Sequence, residues 1–157
     1  MDLATLPRDE PLPPGLEIVP VRDEATLRAF IGVLADEMGL PEGVANPAAR
    51  HHAALLEAIP PTLATESVPS RYLGRLDGRA VATSRISIGG GVAGLYAVAT
   101  LPDVRGRGFG RALTLAALDA GRALGYRIGV LQASDSGFPV YRRIGFVTMF
   151  DYAIYQG

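Results

Sequence analysis

With 157 residues, the chain is sized for one domain that buries roughly two-thirds of its unfolded surface. A formal net charge of −1 offers no electrostatic basis for binding nucleic acid or an anionic membrane. The absence of cysteine excludes disulfides, thiolate nucleophiles and Cys-ligated metals; all 15 basic residues are arginine, so Schiff-base chemistry on lysine is excluded too.

Residues 1–15 hold Pro7, Pro11, Pro13 and Pro14 among charges and read as a poorly ordered lead-in, with a single domain expected over 16–157. Leu16 to Val19 alternates as a first strand, which Pro20 ends. Leu27, Phe30, Ile31, Leu34 and Met38 fall at helical spacing, and this predicts a helix from Asp23, its N-cap, to Met38. Glycine and proline break Gly39 to Pro47 into a loop. A second helix is predicted over Pro47 to Ile59, stopped by Pro60 and Pro61.

Ser70 to Leu76 and Arg79 to Ile88 alternate on either side of Asp77-Gly78, which is a hairpin signal. Gly89-Gly90-Gly91 reads as a flexible joint into a further strand, Val92 to Ala99. After a glycine- and arginine-rich stretch, a helix carries Leu113, Leu115, Ala116, Leu118, Ala120 and Leu124, with Gly125 as its stop. Tyr126 to Ala133 is largely apolar and reads as a central strand. A short helix over Pro139 to Ile144 ends at Gly145, and Phe146 to Tyr155 alternates as a final strand. The order β-α-α-β-β-β-α-β-α-β describes an α/β (α+β) domain with a mixed sheet. No apolar run of about 18 residues is present, nor a basic segment followed by an apolar core, so the expected location is the cytoplasm.

Chemistry concentrates in Arg105-Gly106-Arg107-Gly108-Phe109-Gly110-Arg111. A strand that turns through glycines into a helix start presents unpaired N–H groups, and these bind anions. Glycine permits positive φ and close approach of the backbone to a ligand. Arg105, Arg107 and Arg111 add planar donor forks suited to phosphate oxygens. The segment reads as a pyrophosphate cradle; the plainer alternative is a solvated Gly/Arg connection. A P-loop would close on Gly-Lys-Ser/Thr, and this chain has no lysine. A dinucleotide fingerprint would need G-x-G-x-x-G, whereas these glycines run G-x-G-x-G and the nearest acidic residue, Asp119, sits inside the predicted helix. The only histidines, His51 and His52, are adjacent on a predicted helix and project about 100° apart, so they cannot share a metal, and none is expected.

Two motifs make the chain resemble the GCN5-related N-acetyltransferases (GNAT family). Pro102-Asp103-Val104-Arg105-Gly106-Arg107-Gly108-Phe109-Gly110 is similar to that family's Arg/Gln-x-x-Gly-x-Gly/Ala core at Arg105, Gly108 and Gly110. Tyr141-Arg142-Arg143-Ile144-Gly145-Phe146 is similar to its Tyr-x-x-x-Gly-Phe. The element order also resembles the family's from Leu16 to the C-terminus. The resemblance implies a mostly antiparallel central sheet flanked by helices, with acetyl-CoA as cosubstrate and no metal. It implies that the pantetheine arm pairs with backbone at Val98, Ala99 and Thr100. The pyrophosphate would rest on N–H groups from Arg105 through Gly106, Arg107, Gly108, Phe109 and Gly110 to Arg111.

In the same family the position of Tyr141 is a general acid that protonates the departing CoA thiolate. A phenol of pKa about 10 keeps its proton at neutral pH and can serve; packing on a short helix is the alternative. Ser134 stands where the family commonly has Asn, and Gly137 where it has Ala; Ser134 is kept as a cofactor contact through its hydroxyl. No Glu or Asp lies on Val92 to Thr100, where some relatives place a general base, and Tyr96 is the only titratable side chain there.

The implied reaction is direct attack of an amine on the thioester in a ternary complex, with a backbone N–H near Ala99 or Thr100 facing the oxyanion. Glu37, His51, His52 or a water chain ending at one of them are the open choices of base. The acceptor region shows no clear charge preference. A non-catalytic acyl-CoA-binding or sensing module on the same fold is the alternative from another class. Relatives often pair through C-terminal strands, and Tyr152, Ile154 and Tyr155 would suit a homodimer, although the same alternation describes a monomer's core.

Overall fold

Three alternating runs joined by two-residue turns form an antiparallel meander; a further strand pairs at each of its edges, and helices pack on its two faces. The computed structural model describes residues 1–39 and 68–151. Its main elements are β1 (Leu16–Pro20), α1 (Glu24–Glu37), β2 (Arg71–Leu76), β3 (Arg79–Gly89), β4 (Val92–Thr100), α2 (Phe109–Ala123), β5 (Gly129–Leu131) and α3 (Phe138–Ile144). The five strands lie in the order β1-β2-β3-β4-β5; the first three pairings are antiparallel and β4–β5 is parallel. This is the mixed, mostly antiparallel sheet flanked by helices that the sequence predicts. The predicted helix over Pro47 to Ile59, with His51 and His52, lies outside the described residues, as do Tyr152, Ile154 and Tyr155.

Local chemistry sets the boundaries. Asp23 caps α1, its Oδ1 accepting from the Thr26 N–H at 2.7 Å while its own N–H donates to Thr26 Oγ1 at 3.3 Å. α1 turns Phe30 and Val33 into a core shared with Leu73 and Val81. α2 covers the opposite face, where buried Ser84 donates to the Leu113 carbonyl at 2.7 Å. The glycines at 89–91 form no loose joint: Gly89 pairs with Val92, so β3 and β4 make one continuous hairpin around Gly90-Gly91.

Three expectations are corrected. Residues 1–15 pack rather than trail: Leu3 and Leu6 are buried with Ile86, Ala117 and Leu118. The Leu3 N–H donates to Arg127 O at 2.7 Å, and Arg122 donates to Leu6 O at 3.1 Å. Prolines and charges surround two apolar anchors three residues apart, and burial of those anchors outweighs the composition. Tyr126 to Ala133 contracts to Gly129–Leu131 and, among the described residues, stands at the end of the strand order, not at its centre. Phe146 to Asp151 forms no strand; Phe146 is drawn into the core, and among the described residues no further strand offers the alternation a ladder.

Candidate active site

β4 and β5 run side by side only from Ala93 to Leu95 against Gly129 to Leu131. Among the described residues, no strand faces the β5-side edge of β4 from Tyr96 to Thr100. Because successive backbone groups of a strand point to alternate neighbours, and Ala99 stands opposite Thr83 two residues before the Leu101 N–H that donates to Val81 O, it is Val98 and Thr100 that turn polar backbone toward that edge, while Ala99 turns its own to β3. The other edge is irregular as well. Thr83 pairs with Ala99 and Arg85 with Tyr96, so Ala97 and Val98 together oppose Ser84 in a β-bulge. Ala97 sits at φ 50°, in the left-handed region. Fully buried Thr83 holds it there, donating from Oγ1 to Ala97 O at 2.8 Å.

From Leu101 the chain passes through a 3-10 turn, Pro102–Val104, into the glycine loop. Gly108, at φ 85°, is the N-cap of α2 and brings no capping side chain. The Ala112 N–H donates to Gly108 O at 3.0 Å as the helix ladder begins. The N–H groups of Phe109, Gly110 and Arg111 therefore open the helix without the side-chain oxygen that Ser, Thr or Asp would supply. They sit at the positive end of the helix dipole. Gly110 lies against the end of β4, where an added Cβ would be 3.3 Å from Thr100 Oγ1.

The arginine forks do not aim into this corner as the sequence suggests. Arg105 turns back, its Nε donating to Thr100 O at 3.0 Å and its Nη2 to Glu37 Oε1 at 3.1 Å. Arg111 grips Glu10 with two bonds, of 2.8 and 2.7 Å, and this hydrogen bonding holds the Glu10 carboxyl below its usual range. Arg107 lies over the Phe109 ring, 5.0 Å from its centroid. Two forks are thus engaged by carboxylates, while the exposed Arg107, with no carboxylate partner among the described residues, stands beside the main-chain donors of the helix start. Glu37, one of the candidate bases, is committed to an ion pair with Arg105.

Tyr141 is positioned by the way α3 stops. Gly145, at φ 114°, donates to Arg142 O at 3.1 Å, and the Phe146 N–H reaches back to Tyr141 O at 3.0 Å. The two rings meet edge to face, with centroids 6.1 Å apart. A left-handed glycine stop closed by an apolar contact across it accounts for the Tyr-x-x-x-Gly-Phe spacing. Tyr141 packs against a cluster that includes Leu95, and Val98 and Leu131 border the same cluster beside the split between β4 and β5. Burial pushes its phenol pKa up, so the proton is retained at neutral pH. Gly137 makes room for the ring, since a Cβ there would be 2.8 Å from Tyr141 Cε2. Ser134 uses its hydroxyl within the chain, accepting from the Gly137 N–H at 3.3 Å at the entry to α3.

Among the described residues, no cluster of three or more His, Cys, Asp or Glu is placed to hold a metal, and no helix is long and apolar enough to cross a membrane. Sequence reasoning missed the bulge at Ala97 and the Glu10 and Glu37 pairings. Thr83 was the available signal, a polar residue within a buried strand.

The fold and site define an α/β domain that sets a helix start without a capping side chain beside a split between two parallel strands. The family model described as the Acetyltransferase (GNAT) family matches residues 40–146, and the chain belongs to that family of acetyltransferase enzymes. Comparison with curated proteins gave no match. Solved structures share the fold at low identity. AAC(6')-Iy, in complex with the bisubstrate analogue CoA-S-monomethyl-acetylneamine, has 17% identity and a TM-score of 0.65 over 90% of this chain and 97% of its own. A Pyrococcus horikoshii protein has 16% identity and a TM-score of 0.67, covering 91% of this chain. A GCN5-related N-acetyltransferase from Kribbella flavida has 22% identity and a TM-score of 0.62, covering 92%. The chain spans about half the length of these last two, 47% and 51%.

Proposed function

We propose that the protein transfers an acetyl group from acetyl-CoA to the primary amine of an acceptor by direct attack in a ternary complex. One observation carries this reading: a helix start without a capping side chain, set against the last residue of a strand whose outer edge is open. The N–H groups of Phe109, Gly110 and Arg111 hold the diphosphate, with Gly106 and Gly108 leaving it room. Backbone at Val98 and Thr100, on the edge away from β3, pairs with the amides of the pantetheine arm as an added strand would, whereas the Ala99 backbone is directed to Thr83. The CoA-based bisubstrate analogue in AAC(6')-Iy, a protein of the same fold, supports the choice of ligand.

The amine lone pair attacks the thioester carbonyl and forms the C–N bond, and the N–H of Thr100 faces the oxyanion, the Ala99 N–H being directed to β3. Collapse breaks the C–S bond, the thiolate takes the phenol proton of Tyr141, and the amine's surplus proton leaves to water or a base. With neither cysteine nor lysine in the chain, an acyl-enzyme on those residues does not form. Calorimetry with acetyl-CoA and CoA, followed by thiol release against an amine panel, tests the reading. Binding together with intersecting initial-rate lines is expected. Parallel lines would remove the ternary complex, binding without release would favour a sensing module, and no binding would end the proposal.

A further inference from the structure

A row of polar side chains crosses the sheet and ends at the bulge. Arg71 on β2 stands directly opposite Arg85 on β3, and Arg85 directly opposite Tyr96 on β4. Opposed residues project to one face about 5 Å apart. That face is α1's: Ser84, next to Arg85, points the other way to Leu113 of α2. Tyr96 is the last residue before the bulge and is 50% exposed, its ring lying back over Gly94, where an added Cβ would be 2.7 Å from Cε2.

Directly opposed like charges repel. Both guanidiniums are half-buried, and burial first of all holds their pKa values below the ordinary arginine value; for Arg71 the charge of Arg85 adds to this. Arg28, Arg79, Arg105, Arg111, Arg122 and Arg127 each pair with a carboxylate; Arg85 makes no such pair among the described residues and, unlike Arg8, Arg107, Arg142 and Arg143, which also make none, it is not exposed. A cation drawn partly out of water is unfavourable until an anion meets it. Here that cation lies one strand from the point where β4 parts from β5.

Resting on the acetyl-transfer reading above, we propose that this row selects acceptors that carry an anionic group, a carboxylate or a phosphate. Arg85 binds that group, with the charge of Arg71 beside it, and the amine of the same molecule reaches the β4 bulge past Tyr96. Strand spacing sets the anion and the amine about 5–10 Å apart, which fits a compact amine acid or amine phosphate.

Matched acceptors test this by thiol release: β-alanine against β-alaninamide, and O-phosphoethanolamine against ethanolamine. The two pairs also separate carboxylate from phosphate. A charge-assisted contact predicts that one anionic member is favoured in kcat/KM by about tenfold or more. Arg85→Gln is expected to collapse that ratio, mainly through KM, and Arg85→Lys to restore part of it. A wild-type preference for the neutral members, or a ratio unchanged in Arg85→Gln, overturns the proposal. If no amine on the panel is acetylated, the acetyl-transfer reading fails and the anion site is judged separately, by calorimetry with inorganic phosphate in saturating CoA. Phosphate binding that Arg85→Gln removes upholds the site, and identical isotherms for the two proteins overturn it.

Discussion

Thr83 donates its hydroxyl proton to the carbonyl of Ala97 at 2.8 Å, tying the buried centre of β3 to the bulge of β4. Thr83→Val keeps the shape and removes the donor. Leaving that carbonyl without its partner is expected to cost about 1–3 kcal/mol in urea unfolding. If the bulge sets the reactive edge, kcat falls while CoA affinity holds; a variant with full stability and full turnover would show the bond to be incidental.

Gly108 takes φ 85° at the N-cap of α2. Gly108→Val strains the left-handed backbone by about 1–2 kcal/mol and sets a branched side chain against Pro13, whose Cγ would lie 3.4 Å from the new Cβ, so the loop that opens α2 must shift. CoA affinity measured by calorimetry is expected to drop about tenfold or more. Unchanged affinity would mean that the diphosphate is held elsewhere.

Tyr141→Phe retains the ring contact with Phe146 and removes only the acid. A fall in kcat of about a hundredfold is expected, with acetyl-CoA affinity nearly intact. Because burial raises the phenol pKa, the alkaline fall of kcat in the wild type belongs above the ordinary phenol range. That limb should be missing in the variant, and a variant as fast as the parent would strip Tyr141 of the role.

Tyr72 gives stability a pH signature. Burial, assisted by the charge of Asp119 and opposed by Arg22, pushes its pKa up to about 12 from an ordinary value of 10.0. The folded state thus holds the proton more tightly than the unfolded chain. The resulting stabilisation is complete below pH 10 and is lost as pH rises toward about 12. Urea midpoints across that window should decline less steeply in Tyr72→Phe; parallel curves for the two proteins would refute the assignment.

Much of this architecture is legible in the sequence where the signal is local. Asp23 and Thr26 cap α1 across three residues, Asp77-Gly78 turns one hairpin, and the glycines of 106–110 answer a demand on backbone alone. The arginine side chains of that same loop were misread because their carboxylates are distant in sequence: Glu37 is 68 positions from Arg105, and Glu10 is 101 from Arg111. The bulge at Ala97 escaped for a related reason, since it depends on how β3 stands opposite and nothing in Tyr-Ala-Val-Ala announces it. Leu3 and Leu6 were hidden by proline-rich company, their partners Ile86 and Leu118 lying far along the chain.

The pairing of Arg105 with Glu37 and of Arg111 with Glu10 changes what kind of force governs the glycine corner. Mobile ions compete with bare guanidinium for an anion, but they do little to oriented peptide dipoles already at contact distance. On the proposed reading, added electrolyte is therefore expected to weaken any selectivity resting on Arg85, and any contribution of the exposed Arg107, more than a grip on diphosphate made by the N–H groups of Phe109, Gly110 and Arg111.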